Sequence, residues 1–312
     1  MKGRMAMRKK QSLLGLFVVG LLSCAVTAAQ ANIQYPITVT DDMGREVVIS
    51  SRPERLVSLA PSWTEILFSL GLEDQVVGVT TFCDYPPAVA GKQKVGGFSD
   101  PNIELIVALK ADVVFGTTIH QKVVTELERR GIKFICQKAT SVEQVRNNVR
   151  MAAMVAGVPE QAEAVTADID KKIALVRDTL SSSSLPYVGK RTVLYLVWDE
   201  PVMSLGPKTL ISDLITLAGG ISMTRDAATD YPSYSLETVI AANPDVVLAP
   251  AVPGGAGVDP QALKNKAGWR ALTAVRQGNV RLVDDNLVSR AGPRVGEGVL
   301  EMARAIYPEL FK

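Results

Sequence analysis

Short apolar runs alternate with segments of helical period along most of the chain. Arg55 to Ala60 predicts a strand, Pro61-Ser62 opens a helix over Trp63 to Leu70, and Gly71 closes it. Gln75 to Thr80, Asp112 to Gly116 and Lys133 to Cys136 predict further strands, with helices between them. Strands spaced this way among helices argue for βαβ units and a parallel sheet. Such sheets take ligands beyond the carboxyl ends of their strands.

The pattern changes at Ser141. Val142 to Ala156 has helical period, Gly157 stops it and Pro159 restarts it. Glu160 to Leu180 then runs without Gly or Pro, with Ala164, Ile169, Ile173, Val176 and Leu180 at helical spacing. Ser181 to Ser184 and Pro186 form a polar break. The earlier alternation then resumes. Thr192 to Val197 reads as a strand, Leu210 to Ala218 as a helix before Gly219-Gly220, and a further helix starts near Ser235. A strand over Asp245 to Ala249, a helix around Pro260 to Leu272, a strand over Val280 to Val283 and a helix over Val295 to Ile306 complete the chain. The expected class is α/β: two lobes, each with a mostly parallel sheet flanked by helices, joined by one long linker helix. The expected boundaries are 1–31 for a leader, 32–157 for the N-terminal lobe, 158–184 for the linker helix and break, and 185–312 for the C-terminal lobe.

One helix-to-strand phrase occurs twice. Ile103 to Gly116 and Leu236 to Ala249 each place a Glu second, an Ala four residues later, and an Asp eight residues after the Glu, followed by Val-Val. A duplicated lobe explains both copies. The Asp residues suit a turn and the Val residues a buried strand. The paired acids, Glu104 and Glu237, are not explained that way, because a solvated helix start accepts many polar residues.

The first 31 residues stand apart. Lys2, Arg4, Arg8, Lys9 and Lys10 precede an apolar run, Leu13 to Leu22, and then Ala29-Gln30-Ala31, which is the layout of a secretory signal peptide. Leu21-Leu22-Ser23-Cys24 also resembles a lipobox, so two mature forms stay open: a soluble periplasmic chain, or one anchored through a lipid on Cys24. Losing residues 1–31 removes five cations and no acids, leaving 29 Lys and Arg against 32 Asp and Glu, a net −3. That balance offers no basic face for nucleic acid. Cys83 and Cys136 remain, either paired in an oxidising compartment or buried as small hydrophobes.

The chain carries no phosphate-cradling Gly-x4-Gly-Lys-Ser/Thr loop, no Gly-x-Ser-x-Gly elbow and no His-Glu-x-x-His. Gly254 to Gly257 reads as a loop, because no helix pattern opens on it. His120 is the one histidine, so a triad hydrolase or a multi-ligand metal carrier has little to work with. No catalytic residue, resident metal site or cofactor is expected.

Asp41-Asp42-Met43-Gly44-Arg45, followed by Pro53 through Pro61, resembles the opening of periplasmic binding proteins for ferric siderophores, haem and cobalamin. Thr64-Glu65, Leu70-Gly71, Val77-Gly78-Val79, Cys83-Asp84-Tyr85-Pro86, Val95-Gly96-Gly97, Leu217 to Gly220 and Arg290 to Arg294 continue the likeness over nearly all of the mature chain. The resemblance implies a monomeric, bilobal carrier that holds a ligand in its cleft and delivers it to an ABC importer permease. It also implies that Glu104 and Glu237, one per lobe, meet arginines on the two copies of that permease. A long linker helix resists bending, so lobe closure should be small.

Among subfamilies, Cys83 to Pro87, Pro101 to Glu104 and the Arg290 loop are most similar to cobalamin carriers. The implied ligand contacts are Phe82, Cys83 and Phe98 in the N-terminal lobe and Tyr231 in the C-terminal lobe; Trp198, which closes the first strand of that lobe, either floors the pocket or belongs to the core. Thr117, Met203 and Asn286 stand where those carriers have Trp, Phe and Asp. His120 is a further contact, by ligation or hydrogen bonding, against the alternative of a capping histidine. Arg290 either pairs with an anionic ligand group or holds its loop by bonding carbonyls. The expected ligand is cobalamin or a related corrinoid. A ferric siderophore or haem is the alternative within the same class, and a lipid-anchored scavenging module is the alternative outside it.

Overall fold

The computed structural model describes residues 33–183, 190–251 and 257–311. The leader with Cys24, Ser184, Pro186 and the loop residues Gly254, Gly255 and Ala256 lie outside the described residues. Five strands form one parallel sheet in the N-terminal lobe, in the order Gln93–Lys94, Val76–Val79, Leu56–Ser58, Val113–Thr117, Lys133–Gln137. Four form a second parallel sheet in the C-terminal lobe, in the order Ile221–Ser222, Thr192–Tyr195, Val246–Ala251, Val280–Asp284. Without the edge strand Gln93–Lys94, the two orders are the same.

The central strands are apolar runs because both of their faces are covered. Alternation along them splits the N-terminal core in two. Leu56, Val113, Phe115 and Ile135 pack on one face, and Val57, Val114, Phe134 and Cys136 on the other. Cys83 belongs to the first cluster and Cys136 to the second, and both thiols are free. The sheet stands between them, which closes the pairing that the sequence left open.

The repeat occupies equivalent places in the two lobes. Helices Ile103–Ala108 and Leu236–Ala242 feed strands Val113–Thr117 and Val246–Ala251. Asp112 accepts from the Glu54 and Arg55 backbone N–H groups, both at 2.8 Å, and Asp245 accepts from the Thr192 N–H at 2.7 Å. In each lobe this carboxylate ties the incoming first strand to the third. The aspartates therefore do more than turn the chain.

Gly157 ends the helix Val142–Ala156 in the left-handed region, φ 74°, and Pro159 opens the helix Pro159–Ser182. Those 24 residues span about 36 Å at 1.5 Å per residue. Ala162 and Val165 of this linker pack into the N-terminal core, and Ile169 and Val176 into the C-terminal one. The preceding helix does the same in reverse. Val149 and Ala152 belong to the N-terminal core, while Val142 and Val145 belong to the C-terminal one. The lobes are thus braced by two helices, although the chain crosses only once. The last helix, Val295–Ile306, lies so close to the linker that a Cβ on Gly296 would sit 3.1 Å from the Ile169 backbone.

Two features depart from the sequence reading. The helix expected over Pro260 to Leu272 is broken into Pro260–Asn265 and a short turn Trp269–Ala271. Gly268 adopts φ 81° between them, and Trp269 is driven into the core. Short antiparallel pieces also appear: Ile37–Thr40 with Glu46–Ile49, and a three-stranded patch of Ser233–Tyr234, Val202–Met203 and Trp198–Asp199. The two-residue strands of that patch carry no period to read.

Candidate functional site

Because each sheet is parallel, all of its carboxyl ends lie on one edge, and these edges meet at a cleft between the lobes. One cavity of about 310 Å³ lies on the N-terminal side, walled by Phe98, Thr117, Gln137 and Arg290. Another of about 450 Å³ lies on the C-terminal side, walled by Tyr195, Leu205, Tyr231, Asp285 and Val288. Lys138, Ala139 and Ser289 belong to both, so the two cavities form one site. A cavity of about 640 Å³ lies elsewhere, between the helix Pro61–Ser69, the linker and the start of the last helix. It is larger but touches no strand end, so topology rather than size selects the cleft.

Four of the expected contacts line this cleft: Phe98, Thr117, Tyr231 and Arg290. Phe82 and Trp198 are 60% and 51% exposed and border neither cavity, and the Trp198 indole N–H donates to the Glu200 carbonyl. Met203 lies opposite Trp198 in the small antiparallel sheet. Asn286 is half-buried, and its backbone N–H donates to Asp284 Oδ1. Neither borders a cleft cavity.

Cys83 and His120 are placed differently from expectation. Cys83 is buried, with Sγ 3.1 Å from Thr80 Oγ1, and belongs to the core. His120 is 2% exposed. Its Nδ1 accepts from the Thr117 N–H at 2.9 Å, so Nε2 carries the proton and donates to the Phe98 carbonyl at 2.6 Å. Both ring nitrogens are spent on backbone, leaving none for a metal or ligand. The histidine is a staple that fixes Phe98 and Thr117 on the cleft wall. Burial holds its pKa below the ordinary histidine value, and its two backbone bonds oppose that.

Arg290 is committed within the protein. Its guanidinium meets Asp84 at 2.6 and 3.1 Å and Glu65 at 3.4 Å. Arg294 forms a bidentate pair with Glu65 at 2.6 and 2.8 Å and lies over the Tyr85 ring at 4.0 Å. Glu65, Asp84 and Tyr85 belong to the N-terminal lobe, and both arginines to the C-terminal one. The hydrogen bond from Arg290 holds the Asp84 carboxyl below its usual range. Its partners are carboxylates of the opposite lobe rather than carbonyls of its own loop, so Arg290 ties the lobes together.

Sequence reasoning missed the residues that join the lobes at the floor. Gln137 is 2% exposed, and its Nε2 donates to the Ala291 carbonyl at 3.0 Å. A polar residue closing the apolar run Lys133 to Cys136 was the available signal. Glu104 and Glu237 both fall in the first turns of exposed helix starts, capped by Asn102 and Ser235. The Glu104 carboxylate is 80% exposed and meets Arg130 at 3.1 Å. Hydrogen bonds from its own backbone, then from Ser235, lower the pKa of Glu237.

Two α/β lobes, braced by helices and opening their strand ends onto a shared cavity, define a bilobal ligand-binding protein. The chain belongs to the periplasmic binding protein family, whose pattern matches residues 56–287. It is 29% identical over 291 residues to an uncharacterised ABC transporter substrate-binding lipoprotein of Bacillus subtilis, covering 91% of this chain and 90% of that one. It is 30% identical over 280 residues to a cobalamin-binding protein of Halobacterium salinarum, covering 88% and 74%. The solved periplasmic haem-binding protein of Roseiflexus sp. RS-1 superposes with a TM-score of 0.70 at 27% identity, covering 82% and 98%. The protein is thus a substrate-binding protein of the ABC importer type. Among the described residues no helix is long and apolar enough to cross a membrane.

Proposed function

We propose that the protein captures cobalamin or a related corrinoid in the inter-lobe cleft, outside the cytoplasm, and delivers it to an ABC permease. The observation that carries this is the joined cavity at the two sets of strand ends. Phe98 lines its N-terminal part, and Tyr231, Leu205 and Val288 line its C-terminal part. That lining suits a large ligand with an apolar face. The cobalamin-binding relative supports this class. The haem-binding neighbour, and the exposed cations Lys138 and Lys208, support the second reading, a haem or ferric chelate.

The leader directs export: cleavage after residue 31 releases a soluble chain, and the lipoprotein relative supports the alternative, cleavage before Cys24 with a lipid anchor on it. The lobes, 32–157 and 185–312, act as a monomer with the linker region between them. Exposed Glu104 and Glu237, at equivalent points of the repeat, present a pseudo-two-fold pair of carboxylates to arginines of a two-fold permease. The test is an absorption titration with cyanocobinamide, haemin and a ferric hydroxamate. Saturable binding of cyanocobinamide supports the first reading, and binding of only an iron ligand replaces it with the second.

A further inference from the structure

Tyr195 ends the first strand of the C-terminal lobe and lines the cleft cavity, yet it is 3% exposed. Its hydroxyl is buried and completes no hydrogen bond among the described residues. A buried phenol without a partner is rare, because desolvation of the O–H goes uncompensated. Asp285 and Ser289 line the same cavity, and the Ser289 hydroxyl donates to Asp285 Oδ1 at 2.5 Å. Burial chiefly, and then the Asp285 charge, raise the Tyr195 pKa, while the Ser289 hydroxyl beside the phenol lowers it. The phenol is therefore a neutral donor standing near an acceptor carboxylate.

We infer that Tyr195 and Asp285 read a primary carboxamide arm on the ligand. The Tyr195 O–H donates to the amide oxygen, and the Asp285 carboxylate accepts from the amide N–H. A carboxylate arm satisfies the first contact only and sets two like charges together, which disfavours it. Lys138 and Lys208 line the same cavity and attract a carboxylate, but both are exposed, so water and salt screen them. Tyr195 is buried and Asp285 half-buried, so this less screened pair decides. This deepens the reading of the cleft as a site for a large metal–tetrapyrrole and rests on it. Peripheral primary amides are the feature that separates corrinoids from haem, whose arms are carboxylates.

The test compares two probe pairs on the purified protein: cyanocobinamide against its monocarboxylic acid derivatives, and haemin diamide against haemin. In whichever series binds, the amide form should bind about tenfold tighter or better. Tyr195→Phe removes a hydroxyl with no partner at hydrogen-bond geometry among the described residues, so its melting temperature should stay nearly unchanged. Its amide affinity should fall about fivefold, the worth of one neutral hydrogen bond. Asp285→Asn can offer a donor, and should narrow the preference. Equal or better binding of the carboxylate form, or an unaffected Tyr195→Phe, overturns the inference alone and assigns the arm to Lys138 and Lys208. Binding of none of the probes overturns it together with the reading beneath it.

Discussion

Glu65 and Arg294 come from opposite lobes and close a bidentate pair at 2.6 and 2.8 Å, with the Glu65 side chain only 1% exposed. Removing Arg294 strips the buried Glu65 carboxylate of its two short bonds and leaves it only the longer 3.4 Å contact to Arg290. Arg294→Ala should lower unfolding stability by about 3 kcal/mol, read by urea denaturation. Adding Glu65→Leu should recover part of that loss, because no carboxylate is then stranded. A double variant as unstable as the sum of the singles would show that the two do not act as a pair.

His120 sets a pH dependence. Its folded pKa lies below the unfolded value near 6.5, so the unfolded chain takes up the proton first on acidification. Stability should therefore fall as pH drops below about 6.5 and level off once the folded pKa is passed. His120→Gln should flatten this part of the profile between about pH 7.5 and 5. Thermal unfolding across that range checks it, and an unchanged slope in the variant would contradict it.

The thiols should be inert in the folded state. Cys136 is fully buried, and burial first, then Asp41 and Asp42, push its pKa up to about 12. Peptide mapping after alkylation should find Cys83 and Cys136 modified only once the protein is denatured. A Cys83–Cys136 bridge recovered without reductant would contradict the placement of the sheet between them.

Glu104 and Glu237 should matter for delivery and not for capture. Changing both to Arg should abolish uptake by whole cells while the equilibrium affinity of the purified protein stays within about twofold. Normal uptake by the double variant would reject the docking role.

Much of the architecture was legible, because the buried parallel strands are apolar runs and the helix ends carry Gly157 and Pro159. The lobe duplication was visible in the phrase shared by Ile103 to Gly116 and Leu236 to Ala249. What Asp112 and Asp245 accept was not, since the partners lie on strands that start some 50 residues earlier in sequence. The cleft was legible in part. Phe98, Thr117, Tyr231 and Arg290 reach it, but long-range bonds spend His120 on Phe98 and Arg290 on Asp84. Such bonds leave no mark on local periodicity. Tyr195 reads as one more strand residue until its hydroxyl is seen without a partner among the described residues.

The central claim is that the ligand sits between the two sets of strand ends and not in the larger cavity behind Glu65 and Arg294. Ser289 is exposed and belongs to both cleft cavities, while Ala164 is exposed and lines the rear one. A tryptophan at either place fills space without disturbing a core. Absorption titrations with the probe that binds the wild type decide the matter. Ser289→Trp should lose about tenfold or more in affinity while Ala164→Trp stays within about twofold. The reverse pattern would contradict the account.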